Sequence, residues 1–433
     1  MIIKKVSRIF FVIVLLISLP LFLGLGCKNN PIASKPQTKV LRFWSVFNDS
    51  DFFEPIIKAY QDQNPNIKIE YKKLEYAEYE EGVLNALASG RGPDIWSLYY
   101  TWYPRHKDKL VPAPANLLTK DNFEEVFVKG AVPDLLIDDK IYGLPLAIDN
   151  LVLFYNEDIF NNAGIVKPPV TWEELMTDAA KITTLADDKI KLSGVALGAA
   201  DNINRAGDIL AVLMLQSGAN IVDHKTKSSG LLQTAKDQTG KSVNPSLNSL
   251  SFYTDFANPQ KTSFAWDISQ DYSIDAFGLG KTAMMINYSY HIPTIKLKAP
   301  NLNFKVSALP QINKLQKVNY PSFWAQSVAS ASKYPEEAWK FLVFLASKSS
   351  NELYVKASVR ASARRDVIES QQEDAGIGLI ATQNLTVKTW YQVGREEAMQ
   401  EIFNKMIRDV NLGRKTKEDA LRAANDQINA ILR

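Results

Sequence analysis

The feature that most constrains the fold is the alternation, near the start of the body, of short runs with a period of two and longer segments with a period of 3.6. Val40-Leu41-Arg42-Phe43-Trp44-Ser45 alternates as a strand does, Phe52 to Asn64 reads as a helix, and Ile67 to Tyr71 reads as a second strand. A helix over Tyr76 to Ser89 stops at Gly90, and Gly92-Pro93-Asp94 turns the chain into the strand Ile95-Trp96-Ser97-Leu98. Units of this kind cover a sheet with helices, which predicts an α/β fold built on mostly parallel sheets.

The pattern persists along the chain. Ile141 to Asn156 is strand-like but interrupted by Pro145, and is read as one strand crossing between two lobes. A short helix over Glu157 to Asn162 ends at Gly164, and Thr171-Trp172-Glu173-Glu174 forms a capping box that opens a longer helix. Helices follow at Ala206 to Ser217, Ser246 to Ala257 and Ser273 to Phe277, then the strand Ala283 to Asn287, so the second lobe is also α/β. A strand over Asn303 to Leu309 and a second crossing strand over Phe323 to Ser330 precede the helix Glu336 to Ser347, which Pro335 opens. The tail from Glu396 to Arg433 is helical with a break at Gly413, and no internal repeat is visible.

The N-terminus bounds where the body works. Lys4, Lys5 and Arg8 precede an apolar run from Ile9 to Leu25, and Gly24-Leu25-Gly26 leads to Cys27. A basic start, an apolar core and small residues before a cleavage point make residues 1–26 an export signal, with Cys27 left as an N-terminus able to carry a diacylglycerol. An uncleaved anchor helix is the alternative, since the run is close to the ~18 residues needed to span a bilayer; a buried thiol is another. Residues 27–39, with Asn29, Asn30, Pro31, Ser34, Pro36 and Gln37 and no apolar periodicity, form a flexible tether. With one cysteine there is no internal disulfide, and a mature chain of about 400 residues is stabilised by packing as two domains. The formal charge of +3 is carried by the signal, which leaves a neutral body and argues against nucleic acid as a partner.

Most catalytic chemistry is missing. His106, His224 and His291 lie far apart, without carboxylates at metal-ligand spacing, and are expected at the surface, so no metal or other cofactor is expected. There is no G-x-S-x-G elbow and no phosphate-binding loop. Paired carboxylates are the remaining route, which makes a secreted glycoside hydrolase using Asp94, Asp149 or Asp267 the rival from another class. Asp94, at a turn, is more simply a cap for backbone amides. A scaffolding or adhesion lipoprotein is a third reading.

Several segments in fixed order carry a family resemblance. They are Phe43-Trp44, Ala86-Leu87-Ala88-Ser89-Gly90-Arg91-Gly92-Pro93-Asp94-Ile95, and Tyr142-Gly143-Leu144-Pro145 leading to Phe154-Tyr155-Asn156-Glu157-Asp158-Ile159-Phe160. Then come Pro168-Pro169-Val170-Thr171-Trp172-Glu173-Glu174-Leu175, Ala276-Phe277-Gly278-Leu279-Gly280-Lys281-Thr282-Ala283-Met284-Met285-Ile286, and Pro335-Glu336-Glu337-Ala338-Trp339-Lys340-Phe341-Leu342. Over nearly all of the mature chain, the sequence resembles the family 1 extracellular solute-binding proteins, which include the maltose-binding protein. It departs from that pattern at Tyr288-Ser289-Tyr290, at Tyr320-Pro321-Ser322-Phe323-Trp324, and before Arg364-Arg365, where the usual proline is missing.

The resemblance implies a periplasmic-binding-protein fold of type II. Residues 40–148 and 326–358 would form lobe I, residues 149–325 and 359–433 lobe II, with hinges at Asp149-Asn150 and Gln326 to Ser330. It implies a monomer, lipid-anchored to the outer face of the cytoplasmic membrane, that closes on a mono- or oligosaccharide and passes it to the permease subunits of an ABC importer. In such folds, ligands sit where loops leave the carboxyl ends of strands and face the cleft. Those ends hold Trp44, Asn48, Asp49, Trp96, Tyr99, Asp149, Asn150, Tyr288, Tyr290 and Trp324, with Trp266 and Trp390 as further candidates. Indole and phenol faces suit the C–H face of a sugar, and amides and carboxylates suit its hydroxyls. Trp172 and Trp339 are read as core. Arg364 and Arg365 keep an anionic ligand such as a glycerol phosphate open, beside polyamines and peptides.

Overall fold

A computed structural model of the chain describes residues 37–236, 239–390 and 394–433. The expected signal and nearly all of the tether, Cys27 included, lie outside the described residues. Val40–Arg433 form one compact unit. Among the described residues, no helix is long and apolar enough to cross a membrane.

Two six-stranded sheets organise the body. The first takes β1 (Lys39–Val46), β2 (Ile67–Leu74), β3 (Ile95–Tyr99), β4 (Leu110–Val111) and β5 (Leu144–Pro145). The second takes β6 (Asp149–Asn156), β7 (Thr184–Ala186), β8 (Lys189–Ala196), β9 (Thr282–Tyr288), β10 (Phe304–Ser307) and β11 (Pro321–Ser322), after which β12 (Trp324–Ala329) returns to the first. The orders are β2-β1-β3-β12-β4, with β5 on β12, and β10-β6-β9-β8-β7, with β11 on β6. Each sheet with its helices is one lobe.

The sheets are mixed rather than mostly parallel. β1 and β3 run parallel, as do β8 and β9, but β12 is antiparallel to β3, β4 and β5, and β6 is antiparallel to β9, β10 and β11. The reason lies in the connections. β12 and β6 each enter their sheet from the other lobe, so they start at the interlobe side, where β3 and β9 end. Trp324 therefore pairs with Tyr99, and Leu151 with Tyr288.

Local chemistry explains the helices. In Trp172–Ile182, the Thr171 hydroxyl accepts from the Glu174 amide at 3.1 Å, and the Glu174 carboxylate accepts from the Val170 amide at 2.7 Å, so the capping box closes one residue earlier than its simplest form. The tail forms Glu396–Asn411 and Lys417–Leu432 around Gly413, which takes the left-handed φ of 64°. Trp172 and Trp339 are core residues as expected; the indole of Trp339 donates to the Val111 carbonyl at 3.0 Å. The segment Ile141 to Asn156 is three strands rather than one, since Pro145 offers no amide to continue a ladder.

Among the described residues the chain passes between the lobes three times: at Leu146 to Ile148, at Phe323, and near Arg360 to Ala363. Gln326 to Ala329, expected to hinge, lie inside β12, where the Gln326 amide oxygen accepts from the Ser97 hydroxyl at 2.6 Å. The first and third passages lie side by side, with the Ile148 amide donating to Ala361 and the Ala363 amide to Leu146. Buried amides bind them together. Asn384 donates to the carbonyls of Ile148 and Ser362 at 3.1 and 3.0 Å, and Asn150 donates to the Asn384 side chain at 2.7 Å. Asn351 donates to the Leu146 carbonyl at 2.8 Å and accepts from the Ser362 hydroxyl at 2.6 Å.

Asn384 is fully enclosed, so Asn384→Leu strands two buried carbonyls and one N–H of the Asn150 side chain, whose other bond runs to the Ile380 carbonyl, at about 1–3 kcal/mol each, partly offset by relaxation. We expect a loss of about 3 kcal/mol, read as a lower urea midpoint by circular dichroism at unchanged slope.

Candidate functional site

The interlobe side of the first sheet carries an aromatic wall. Trp324, half-buried at the start of β12, has ring centroids around it at 5.1 Å (Trp102), 5.4 Å (Tyr99), 5.7 Å (Phe47), 5.8 Å (Tyr79) and 6.3 Å (Tyr76). Phe47, just past β1, has φ of 68°, a rare conformation for a bulky residue. The neighbours impose it. The Asn48 amide bonds back to the Val46 carbonyl at 2.8 Å, and the Asn48 side chain donates to the Tyr354 hydroxyl at 2.6 Å. The strained turn points the Phe47 ring outward, 50 % exposed, stacked at 5.5 Å on Tyr76, which is 58 % exposed.

The second sheet supplies a polar counterpart. Tyr288, ending β9, and Tyr290 stack at 5.4 Å. Arg205, in the left-handed region at φ 63° ahead of the helix Ala206–Gln216, lays its guanidinium 5.5 Å from the Tyr288 ring centroid and donates to the Tyr290 hydroxyl at 3.0 Å. Asp208, in an otherwise apolar helix, lies 3.9 Å from Arg205 and accepts from the Tyr288 hydroxyl at 3.1 Å and from Gln400 at 2.6 Å. Asp149 shapes the loop after β9, accepting from the amides of Ser289 and Tyr290 and from the Ser289 hydroxyl.

The two walls meet at one edge. The Thr101 hydroxyl donates to Glu396 at 2.6 Å, Arg105 lies 3.7 Å from Glu397 and 2.8 Å from Glu80, and the Tyr99 and Ser322 hydroxyls are 3.1 Å apart. Burial pushes the Glu396 carboxyl up to about 7; Thr101 opposes this and Asp208 adds to it. Burial also raises Asp208, against the pull of Arg205, Gln400 and Tyr288. Asp149 is raised by burial despite its bonds to Ser289, Tyr290 and Asn150.

Of the residues expected at the site, Tyr99 and Trp324 stand in the aromatic wall, Tyr288 and Tyr290 in the polar one, and Asp149 supports Tyr290. The others lie elsewhere. Trp44 packs on the sheet under the Lys72 ammonium, 4.8 Å from its ring, and Asp49 is exposed and paired with Lys73 at 2.7 Å. Asn48 is spent on Tyr354 and Asn150 on the passage network. Trp96 and Trp266 are enclosed, because β3 is covered on both faces and the Trp266 indole donates to Asn202 at 3.1 Å. Arg365 is exposed near the Glu125 carbonyl, and Trp390 is buried against Phe403 at 5.4 Å. His106 is not at the surface: it is buried, 2.6 Å from Glu80. Asp94 serves another strand's amide, that of Arg42, at 2.8 Å. Among the described residues, no group of three or more His, Cys, Asp or Glu side chains is placed to hold a metal.

Phe47, Tyr76, Arg205, Asp208 and Glu396 were not expected. Asp208 alone had a clear signal, as the one acid within Ala206–Gln216, whose first ten residues are all buried.

Two α/β lobes, three passages between them, and an aromatic wall facing a polar one define a two-lobe binding protein. The sequence pattern of the bacterial extracellular solute-binding proteins matches residues 45–352, and the chain belongs to that family. A binding protein of Brucella abortus is 24 % identical over 392 residues, covering 88 % of this chain and 90 % of the relative. The multiple sugar-binding protein of Streptococcus mutans is 20 % identical over 336 residues, 76 % of each chain. Among solved structures, the sugar-binding protein MalE of Xanthomonas citri superposes with a TM-score of 0.75 at 19 % identity over 91 % of this chain and 97 % of that one. A solute-binding protein from Thermotoga lettingae, bound with α-D-tagatose, superposes at 0.68 and 22 % identity over 92 % and 100 %.

Because Glu396 holds its proton to about pH 7 when folded, against 4.5 ordinarily, the folded chain binds more protons than the unfolded one between those values. This group's contribution to stability therefore falls as pH rises through that window. The melting temperature followed from pH 4.5 to 8 should decline less steeply in Glu396→Gln than in the wild type.

Proposed function

We propose that the chain is the solute-binding component of an ABC importer and that its solute is a mono- or oligosaccharide. The observation that carries this reading is the juxtaposition of exposed Phe47 and Tyr76 and half-buried Trp324 with the Arg205–Tyr290 pair and Glu396 across the cleft. A sugar ring has an apolar face for the rings and a rim of hydroxyls for the fixed donors and acceptors. Each stacked ring adds about 0.5–1.5 kcal/mol beyond area burial, so two or three with several hydrogen bonds give micromolar binding, about −8 kcal/mol. The names of relatives favour the same class: beside the Streptococcus mutans protein stands an arabinooligosaccharide-binding protein of Bacillus subtilis, 23 % identical over 224 residues.

Hydrolysis fits less well. Of the carboxylates considered for it, Asp94 is held by Arg42 and Ser332, Asp149 by Ser289 and Tyr290, and Asp267 by Ser269. An anionic solute loses its expected carriers too, since Arg364 is engaged by Asp366 and the Ala346 carbonyl while Arg365 lies near the Glu125 carbonyl. In this reading the lobes turn about the three passages, the closed shape is what the permease engages, and a diacylglycerol on Cys27 keeps the monomer at the membrane.

A thermal-shift screen of the full chain in detergent against mono-, di- and oligosaccharides, polyamines, peptides and glycerol phosphates tests this. A ligand at a hundredfold excess over Kd adds about 2.7 kcal/mol, a shift of several degrees. One saccharide class should give a saturable shift and be recovered uncleaved, and Trp324→Ala should weaken it by about tenfold. Silence from every sugar beside a shift from another solute sinks the saccharide reading and leaves the binder. Mass spectrometry of the exported chain, showing a diacylglycerol on Cys27, checks the anchor.

A further inference from the structure

The charges around the cleft are unevenly supplied and unevenly committed. Arg205 donates to Tyr290, lies over Tyr288 and has Asp208 3.9 Å away, so the charge of Asp208 already answers it. Arg105 is divided between Glu80 at 2.8 Å and Glu397 at 3.7 Å and packs over Trp102. Among the described residues, these two guanidiniums thus face four carboxyl groups, Asp208, Glu396, Glu397 and Glu80, of which Glu396 holds its proton to about pH 7 and is mainly ionised only above it. His291, against Tyr290 at 4.6 Å, adds no cation, since burial and then the charges of Arg205 and Lys298 keep its ring neutral down to about pH 4.

A solute carboxylate or phosphate entering here must displace Asp208 from Arg205 or sit uncompensated beside Glu396, in a site where burial weakens screening. A hydroxyl meets no such opposition. An ammonium meets attraction.

We propose that the cleft selects by charge, admitting saccharides that are neutral or carry an ammonium group and rejecting those that carry a carboxylate or phosphate, with Glu396 and Asp208 as the specificity-determining residues. This rests on the saccharide reading above.

The test is titration calorimetry of the full chain in detergent at pH 7.5. The best neutral saccharide is compared with analogues in which one hydroxyl at a time is replaced by an ammonium, a carboxylate or a phosphate ester. Every carboxylate and phosphate analogue should bind at least about tenfold more weakly than the neutral parent, and at least one ammonium analogue should match or exceed it. Glu396→Gln should narrow the gap between neutral and anionic forms to about threefold or less, read as the ratio of their affinities in the same variant; Asp208→Asn, checked for folding by circular dichroism, should narrow it too. An anionic analogue that binds as tightly as its parent overturns the inference and leaves the saccharide reading intact. A gap unchanged in both variants overturns the assignment to these residues. If no saccharide of any charge binds a chain that is folded, both readings fall.

Discussion

The rest of the structure depends on how the chain passes from one lobe to the other without leaving polar backbone unpaired. At the first and third passages there is no continuous ladder: the Leu146 carbonyl has the Ala363 amide, while those of Ile148 and Ser362 rely on side chains. Asn351 and Asn384 take that role from enclosed positions, with Asn150 and the Ser362 hydroxyl completing the set. A side-chain amide offers two donors and an acceptor at fixed geometry, which suits a site where strands run side by side but do not form a sheet. Because each member is buried and paired, the network sets one register for the passages. The polar wall inherits that register, since Asp149 begins the strand that leaves the first passage.

Each wall also contains a residue forced into the left-handed region. At Phe47 the backbone strain turns an aromatic ring toward solvent, and at Arg205 it opens the helix whose Asp208 then meets the guanidinium. Conformations of this kind cost of order 1–3 kcal/mol and persist only where surrounding contacts over-determine them. Here those contacts are the Asn48–Tyr354 bond on one side and the Tyr288–Tyr290 stack with Arg205 on the other. A third case, Val359, φ 51° and exposed, stands just ahead of the third passage. Left-handed residues also occur at Asp138, Asp139, Asp187, Asp188 and Lys227, away from both walls, so the conformation is not confined to the cleft and the passages.

The elements legible in the sequence were those whose period is set by one buried face. Tyr76 to Ser89 and Ala206 to Ser217 end within a residue of the observed helices, and Glu157 to Asn162 agrees at both ends. β8 escaped notice because its alternation lasts only through Lys189 to Lys191 before the strand becomes wholly buried, and Lys348–Ser358 because it buries only Ser350, Asn351, Tyr354 and Val355. Of the residues at strand ends, the fold brings Tyr99, Tyr288, Tyr290 and Trp324 into the walls of the candidate site. Reading strand ends also gathered Trp44 and Trp96, since a tryptophan near a strand end does not declare which face it takes. Glu396 and Arg205 were invisible for a different reason: they reach the cleft from helix starts far along the chain, and only tertiary packing brings them there.

β12 lies between β3 and β4 and pairs with β5 as well, so the first sheet lacks a middle strand until residue 329 has been made. Until then Leu98 and Trp96 have no partner strand on that side, and the N-terminal lobe cannot close its core as an independent unit during synthesis. Order of manufacture and order of folding are thereby uncoupled. The ribosome delivers most of the polypeptide before the first sheet can be completed, whereas every strand of the second sheet comes from the contiguous stretch 149–322.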